Sequence, residues 1–241
     1  MLFKVSAKEL LETGAHFGHQ ARRWNPKMAP YLYGVSDGVH IFDLIKTKEM
    51  LEEALEVIKN AAREQKVILL LGTKKQAKDK VVEIGKETGC PYVSERWLGG
   101  TLTNFEQIKR SINKLAEMKT KKETGEYVKF TKKERLLIDQ DIARMERFLG
   151  GISSLEKIPD MMIIVDTHKE ISAVKESLAA KVETVGICDS NSDPTLIDYP
   201  IPMNDDAAKA LEYVLDLIKE AILEGKNKSD KKQVTSKKEK I

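Results

Sequence analysis

Long apolar runs are missing from this sequence. No stretch approaches the roughly 20 apolar residues that a helix needs to span a bilayer. The first eleven residues contain Lys4, Lys8 and Glu9, where a secretory signal peptide would have an apolar core. We therefore expect a cytoplasmic protein that does not bind membranes.

Cysteine is almost as scarce, with only Cys90 and Cys188 in 241 residues. Both lie in apolar, strand-like runs, and neither belongs to a paired-cysteine motif. This pattern argues against a disulfide framework and a zinc ribbon. Both residues are expected to be buried free thiols of a reducing compartment.

Catalytic motifs are also absent from the sequence. It contains neither H-E-x-x-H nor a serine or cysteine nucleophile in a known motif, and neither G-x-G-x-x-G nor G-x-x-x-x-G-K-[ST] occurs. The histidines are His16, His19, His40 and His168. We expect a protein that is not an enzyme.

Positive charge is not in large excess, because 41 Lys and Arg residues face 38 Asp and Glu residues. Seven lysines and two acidic residues lie between Lys226 and Lys240, so the rest of the chain carries a net charge of minus two. Residues 226–241 are expected to form a disordered basic tail. Binding of nucleic acid by the body would have to use local cationic patches.

Residues 1–225 are expected to form the folded domain, and apolar runs alternate with helical spacing from Asp43 onward. The run Val67–Leu71 contains no polar residue, which is typical of a parallel strand covered on both faces. The predicted strands are Val67–Leu71, Tyr92–Val93, Met161–Val165 and Thr184–Cys188, and helical patterns follow Asp43, surround Val81 and Val174, and cover Asp205–Leu223. The alternation predicts an α/β domain in which a parallel sheet is the middle of three layers.

The first 42 residues precede this alternation. A capping-box pattern at Ser6–Glu9 predicts a short opening helix. His16–Pro26 shows neither the helical nor the strand period and is expected to be an ordered loop. Tyr31–Val35 and Val39–Phe42 predict a β-hairpin.

Residues 104–155 interrupt the alternation. Two helical patterns with a period near 3.5 residues predict an inserted antiparallel coiled-coil hairpin. Thr131–Glu134 is a capping box for the second helix, and twelve basic residues face eight acidic ones between Phe105 and Leu155. The apolar positions are Ile108, Ile112, Leu115 and Met118, then Ile138, Ile142, Met145 and Leu149.

Two loops pair arginine with tryptophan. Cations neutralise phosphates, and a tryptophan ring can stack on an unpaired base. The first loop offers Arg22, Arg23, Trp24, Asn25 and Lys27, and the second offers Arg96, Trp97, Thr101, Thr103 and Asn104. We interpret both as RNA-binding candidates. The alternatives are a solvated loop anchored by its tryptophan, and a turn that caps the inserted hairpin.

The turn Gly72–Gln76 follows a predicted strand and precedes a helix, where α/β proteins bind anions. Lys74 and Lys75 are therefore further RNA-binding candidates. Without a phosphate-loop motif, a lysine-bearing loop on a non-catalytic surface is the favoured interpretation over a nucleotide site.

Acidic residues also follow the predicted strands, and the carboxyl ends of parallel strands gather at one edge. With His19 or His168 they could hold a divalent cation, the one cofactor hypothesis for this chain. The alternative, which we favour, is that these residues cap helices and stabilise turns. They are Asp166, Asp189, Asp205 and Asp206.

Seven segments of the chain form a set of motifs in consistent order. They are Leu11–His19, Arg23–Met28, Gly38–Asp43, Gly72–Ala77, Arg96–Asn104, Pro159–Asp160 and Ile201–Asp206. Together they resemble the family of bacterial small-subunit ribosomal protein two, and the matches run from about Phe3 to Leu223. Lys181–Thr184 and Asp189–Asn191 depart locally from the family's usual residues.

The resemblance implies a flavodoxin-like α/β domain with a protruding coiled-coil hairpin. It implies attachment between the head and body of the small subunit and contacts with small-subunit ribosomal RNA and neighbouring ribosomal proteins. In many bacteria the family also docks the large RNA-binding first protein of that subunit. We expect a structural protein that is not a homo-oligomer. The alternative is a nucleotide- or phosphosugar-binding α/β enzyme that uses Gly72–Gln76 and the acidic strand ends.

Overall fold

The computed structural model of the chain describes residues 4–238, and side chains for residues 4–227. The helices of this range are α1 (Ala7–Glu12), α2 (Leu44–Arg63), α3 (Lys75–Thr88), α4 (Phe105–Glu123), α5 (Lys132–Leu149), α6 (Ile171–Ala180) and α7 (Ala208–Lys238). Its strands are β1 (Phe17–Gln20), β2 (Leu32–Ser36), β3 (Val39–Phe42), β4 (Ile68–Leu71), β5 (Tyr92–Val93), β6 (Met161–Val165), β7 (Glu183–Cys188) and β8 (Tyr199–Pro202).

Strands β4 to β8 form a five-stranded sheet in the order β5-β4-β6-β7-β8, and every neighbouring pair is parallel. All five residues of β6 are buried, as expected for a strand covered on both faces. The α/β class and the parallel pairing of the four apolar runs are therefore confirmed.

Strand β8 was not predicted from the sequence. It contains Pro200 and Pro202, and proline cannot donate a hydrogen bond to a neighbouring strand. β8 pairs only with β7 and lies at the end of the sheet, the position that tolerates proline. The two prolines are therefore the reason that this edge strand was not predicted.

The sheet is the middle layer of three. On one face Ile163 of β6 packs in a cluster with Leu51 of α2, Val81 of α3 and Leu215 of α7. On the other face Ile164 lies in a second cluster with residues of α4, α5 and α6. The alternation of Ile163 and Ile164 follows from the two-residue period of a strand.

Strands β1, β2 and β3 form a separate antiparallel sheet in the order β1-β3-β2. The β2–β3 hairpin is the predicted one and turns at Gly38 with φ 75°. β1 corrects the prediction of a loop over residues 16–26, because Phe17–Gln20 pairs with β3. Gly18 permits a close approach here, since a Cβ would lie 2.8 Å from Ser190 Oγ.

Helices α4 and α5 are joined by a short 3-10 turn at Glu126–Lys129. Lys119 pairs with Glu146, and Lys122 pairs with Asp139 at 2.7 Å, so the partners run in opposite directions along the two helices. The capping box predicted at Thr131 is present. The buried apolar residues of the two helices are Phe105, Ile108, Ile112, Leu115, Ile142 and Leu149.

Helix α7 continues to Lys238, past the point where a disordered tail was expected to begin at residue 226. Lysine and glutamine are good helix formers and residues 226–238 contain no proline, so the local sequence does not end the helix at Gly225. Residues 239–241 of the expected tail lie outside the described part of the chain. Within residues 4–238, no helix has both the length and the apolar content that crossing a membrane requires.

Candidate nucleic-acid interface

The carboxyl ends of the five parallel strands meet at one edge of the sheet, which we call the carboxyl edge. It consists of the loops at residues 72–74, 94–104, 166–170, 189–195 and 203–207, together with Lys75 at the start of α3. The N-terminal segment adds to it, because Asn25 donates its backbone N–H to the Ser190 carbonyl at 2.7 Å and His19 donates its N–H to Ser190 Oγ at 2.7 Å. The candidate residues that were scattered in sequence therefore gather on one edge.

The first arginine–tryptophan loop lies on this edge with its arginines exposed. Arg22 and Arg23 are in the 3-10 turn Ala21–Arg23, and Arg22 Nε donates a hydrogen bond to Gln20 Oε1 at 3.0 Å. Trp24 is half-buried and packs on His40 with the ring centroids 4.7 Å apart. The cations of this loop face solvent, as RNA binding requires.

The other two candidates of the first loop, Asn25 and Lys27, bond to other groups of the same chain. Asn25 Oδ1 accepts a hydrogen bond of 3.0 Å from the N–H of Lys27. Lys27 Nζ lies 2.6 Å from Asp193 Oδ2 and 3.2 Å from Thr195 Oγ1. Asn25 thus caps a turn, and Lys27 ties this turn to the 189–195 loop.

The second arginine–tryptophan loop is arranged around an acid that the sequence analysis did not single out. Glu176 of α6 accepts hydrogen bonds from Trp97 Nε1 at 3.0 Å and from the N–H groups of Gly100 at 2.8 Å and Leu102 at 3.0 Å. Although burial raises the pKa of Glu176, these bonds bring it below its ordinary value. The backbone amides of this loop bind an anion, and that anion is the Glu176 carboxylate of the same chain.

The remaining candidates of the second loop divide by exposure. Trp97 and Thr101 are buried, and Thr101 Oγ1 donates to the Leu98 carbonyl at 2.6 Å. Arg96, Thr103 and Asn104 are exposed. Base stacking on Trp97 does not fit this arrangement, whereas Arg96 remains accessible.

Lys74 lies inside a cluster of carboxylates at the carboxyl end of β4. Its ammonium is 2.6 Å from Asp205 Oδ1, 2.6 Å from Asp206 Oδ1 and 3.4 Å from Asp166 Oδ2. Burial acts to lower the pKa of Lys74, but the hydrogen bonds to Asp205 and Asp206 raise it above its ordinary value. Burial and the charges of Asp189 and Asp166 act to raise the pKa of Asp205, whereas the hydrogen bond and charge of Lys74 act to lower it. Lys74 is thus an internal countercharge, whereas its neighbour Lys75 is exposed at the start of α3.

His19 and Asp189 form a second internal pair beside this cluster. His19 Nδ1 lies 2.9 Å from Asp189 Oδ1, and Asp189 is fully buried. The hydrogen bond to Asp189 raises the pKa of His19. Burial acts to raise the pKa of Asp189, but the bond and charge of His19 lower it. The pair therefore favours an imidazolium next to a carboxylate.

The metal hypothesis does not fit this geometry. Asp166, Asp205 and Asp206 converge as predicted, but on the ammonium of Lys74, which stands where a cation would be held. Within the described residues, no group of three or more His, Cys, Asp or Glu side chains has an arrangement suited to a metal ion. His168 is exposed and forms no part of the cluster.

Four predicted cations remain exposed along the carboxyl edge. Among residues 4–227, where side chains are described, none of the four forms an ion pair with a carboxylate. They are Arg22, Arg23, Lys75 and Arg96.

A family model described as Ribosomal protein S2 matches residues 10–225 of the chain. The chain belongs to the ribosomal protein S2 family. A curated relative from a Nitratiruptor species, named "Small ribosomal subunit protein uS2", is 48% identical over 222 residues, which cover 92% of this chain and 83% of the relative. The resemblance found in the sequence motifs is confirmed.

As a member of the S2 family, the chain is a structural protein of the small ribosomal subunit with a role in translation, and it is not an enzyme. The alternative of a nucleotide- or phosphosugar-binding enzyme is therefore wrong. The geometry is consistent with this, because Lys74, one of the two lysines of the Gly72–Gln76 turn, is already engaged by Asp205 and Asp206.

Proposed function

We propose that the carboxyl edge binds small-subunit ribosomal RNA through Arg22, Arg23, Lys75 and Arg96. The observation that carries the proposal is that these exposed side chains have no carboxylate partner among the described side chains of residues 4–227. A cation without a carboxylate partner can exchange its counterions for a phosphate, and the released counterions favour binding.

The four cations are spread along the edge rather than concentrated at one point. Arg96 follows β5 at one end of the sheet, Lys75 follows β4, and the 20–25 segment rests on the loop after β7. Strands lie about 4.8 Å apart, so the distance from β5 to β7 is about 14 Å. Cations over this length suit an extended polyanion better than a single small phosphate compound.

The acids of the same edge do not oppose this binding, because each has a partner within the protein. Asp189 pairs with His19, Asp193 with Lys27, and Glu95 with Lys78 and Arg147. Asp166, Asp205 and Asp206 surround Lys74, and Glu176 accepts bonds from backbone amides. A chain that is nearly neutral overall can thus present a locally cationic edge.

The scaffold in this proposal is a flavodoxin-like domain with a coiled-coil arm formed by α4 and α5. Numbered within the sheet, the strand order is 2-1-3-4-5, the order of flavodoxin-like doubly wound sheets. The opposed ion pairs between α4 and α5 and their buried apolar residues support the arm. The sheet supplies rigidity, and the arm extends the contact surface.

The assembly context follows from the family. In this proposal the chain is a monomeric cytoplasmic component between the head and body of the small subunit, in contact with neighbouring ribosomal proteins. In bacteria that have it, the large RNA-binding first protein docks here. Residues 226–241 add phosphate affinity that does not depend on RNA sequence, because their net charge is plus five.

The test compares the Arg22→Ala/Arg23→Ala variant with a matched control that loses two exposed cations at the opposite edge of the sheet. Arg63→Ala/Lys86→Ala serves as that control, because α2 ends at Arg63 just before β4 and Lys86 lies in the last turn of α3 just before β5. Affinity for small-subunit ribosomal RNA is measured as a function of salt. Each lost phosphate contact lowers the slope of log K against log salt by about 0.7–0.9.

We expect the slope to fall by up to about 1.8 in the Arg22/Arg23 variant, from two such contacts, and to stay unchanged in the control. Incorporation into small subunits stripped of this protein should weaken in parallel. Equal slopes for the variant and the wild-type chain would remove this loop from the interface. Failure of the wild-type chain to sediment with small subunits would refute the proposed function as a whole.

A further inference from the structure

His40 is a buried histidine next to the first arginine–tryptophan loop. It is 7% exposed, and neither Nδ1 nor Nε2 has a hydrogen-bond partner in the described part of the chain. Buried polar atoms in native proteins almost always have a partner, so each exception needs an explanation. A phenylalanine at this position could pack on Trp24 in the same way without leaving two nitrogens unpaired. The imidazole therefore indicates a partner that the isolated chain lacks.

Trp24 packs directly against the buried His40 ring. The two rings pack with centroids 4.7 Å apart and planes 32° apart, and the indole is half-buried. Because the imidazole covers part of the indole, the exposed part of Trp24 is the opposite face or the edge. An exposed aromatic surface of this kind is where proteins stack unpaired bases.

The backbone that carries Trp24 is fixed at both ends. Ala21 donates its N–H to the Gly38 carbonyl at 2.9 Å, and Asn25 donates its N–H to the Ser190 carbonyl at 2.7 Å. Two exposed guanidinium groups precede Trp24 directly, at Arg22 and Arg23. One short segment thus holds an aromatic surface next to two exposed cations.

We propose that Trp24 and His40 form a site for one unpaired nucleotide of small-subunit ribosomal RNA, with its base on Trp24 and its phosphates on Arg22 and Arg23. The inference rests on the proposed function and names the nucleotide class that this part of the edge binds. His40 supplies hydrogen bonds to the ribose or base. Its nitrogens are covered in the free chain, so binding shifts Trp24 relative to His40 and the site is completed only with RNA present.

An unpaired nucleotide fits this site, whereas a continuous duplex does not. The major groove of A-form RNA is too narrow for side chains to enter, and its base faces are stacked on one another. A duplex can reach Arg22 and Arg23 through its phosphates but cannot offer a base face to Trp24. This difference separates stacking from simple charge attraction.

The first experiment labels the full chain with 5-fluorotryptophan, which gives two ¹⁹F signals because Trp24 and Trp97 are the only tryptophans. Trp24→Phe assigns the signals. Small-subunit ribosomal RNA should shift the Trp24 signal and leave that of the buried Trp97 unchanged. A fully paired RNA duplex should leave both unchanged.

The second experiment measures affinity for the same RNA against salt concentration. Trp24→Ala should weaken binding about 5- to 150-fold, the range for one stacked base, with the salt slope unchanged because no charge is lost. Arg22→Ala/Arg23→Ala should lower the slope instead. His40→Phe keeps an aromatic ring under Trp24 and should fold as well as the wild-type chain, but should bind RNA more weakly.

Nitrogen chemical shifts of the His40 ring provide the third readout, since a new hydrogen bond at either nitrogen moves its resonance. We expect a shift upon addition of saturating RNA. An unchanged His40 resonance, or an unchanged RNA affinity of Trp24→Ala, would overturn this inference. The proposed function would still stand if RNA affinity depended on Arg22 and Arg23. Absence of any RNA binding by the wild-type chain would refute both.

Discussion

Trp97 Nε1 donates a hydrogen bond of 3.0 Å to Oε1 of Glu176, a residue 79 positions further along the chain. The same carboxylate accepts bonds from the N–H groups of Gly100 and Leu102. One side chain of α6 therefore fixes the whole turn that follows β5. The fixed turn also sets the position of the adjacent Arg96, the exposed cation at one end of the proposed RNA-binding edge.

Glu176→Ala should destabilise the protein by about 2 kcal/mol, because donors left without a partner cost about 1–3 kcal/mol. Glu176→Gln should have an intermediate effect, since it keeps one acceptor oxygen but turns an N–H group toward the amides. The adjacent, exposed Lys175→Ala is the control and should change stability by no more than about 0.5 kcal/mol. Urea unfolding at neutral pH measures all three. Equal stabilities of Glu176→Ala and Lys175→Ala would contradict this account.

Lys74 and Lys75 are adjacent in sequence but should respond oppositely to the same substitution. Lys74→Met leaves three carboxylates without their countercharge and should cost about 3–5 kcal/mol, the usual cost of breaking a buried ion pair. Lys75→Met should change stability by no more than about 0.5 kcal/mol, since Lys75 is exposed.

The same two variants also separate stability from RNA binding. Lys75→Met should lower the salt slope of RNA affinity by about 0.7–0.9, because its ammonium is free to contact a phosphate. Thermal or urea unfolding together with the salt titration measures both effects. A stable Lys74→Met protein, or one whose only defect is RNA affinity, would show that Lys74 is not the countercharge described here.

The pair of His19 and Asp189 predicts how stability depends on pH. The pKa of His19 is raised in the folded state, so its stabilising effect is complete below the unfolded value of about 6.5 and is lost as pH rises through the folded value. The pKa of Asp189 is lowered, so its contribution is present above about 4 and is lost as pH falls through its folded value. The pair is therefore most favourable between about pH 4 and pH 6.5.

His19→Gln should accordingly lose more stability at about pH 5.5 than at about pH 8.5. The difference between the wild-type chain and the variant should approach about 1.5 kcal/mol at the lower pH, the low end for a hydrogen bond to a charged group. His168→Gln is the control, because His168 is exposed and its substitution should have a small effect at both values. A gap that widens as pH rises would mean that the imidazole is neutral in the folded protein.

The central strands of the sheet could be predicted from the sequence because a strand buried on both faces consists almost entirely of apolar residues. All four residues of β4 and all five of β6 are buried, and both strands are continuous apolar runs. β8 is not a continuous apolar run of this kind, and it contains two prolines, which are tolerated because the strand lies at an edge of the sheet. β1 was missed because four residues with a glycine and a histidine do not show strand alternation.

The candidate interface could be predicted only in part, for a different reason. The exposure of Arg22 and Arg23 follows from local composition, since two adjacent arginines are rarely buried. The engagement of Lys74 depends on Asp205, which is 131 residues away, and the burial of Trp97 depends on Glu176. Partners this distant in the chain meet only through the fold, so local sequence could not distinguish an internal countercharge from an RNA contact.

The arm formed by α4 and α5 offers a matched pair of leucines for a final prediction. Leu115 is 2% exposed and packs in the cluster that continues into the sheet, whereas Leu136 is 58% exposed. Leu115→Ala should cost about 2–4 kcal/mol, the usual loss for a buried leucine, and Leu136→Ala no more than about 0.5 kcal/mol. Hydrogen exchange read residue by residue measures the effect, because an arm that opens without the sheet should lose protection only in α4 and α5. Equal protection of the arm in the two variants would show that its seam does not depend on Leu115, and the proposed coiled-coil packing would then be wrong.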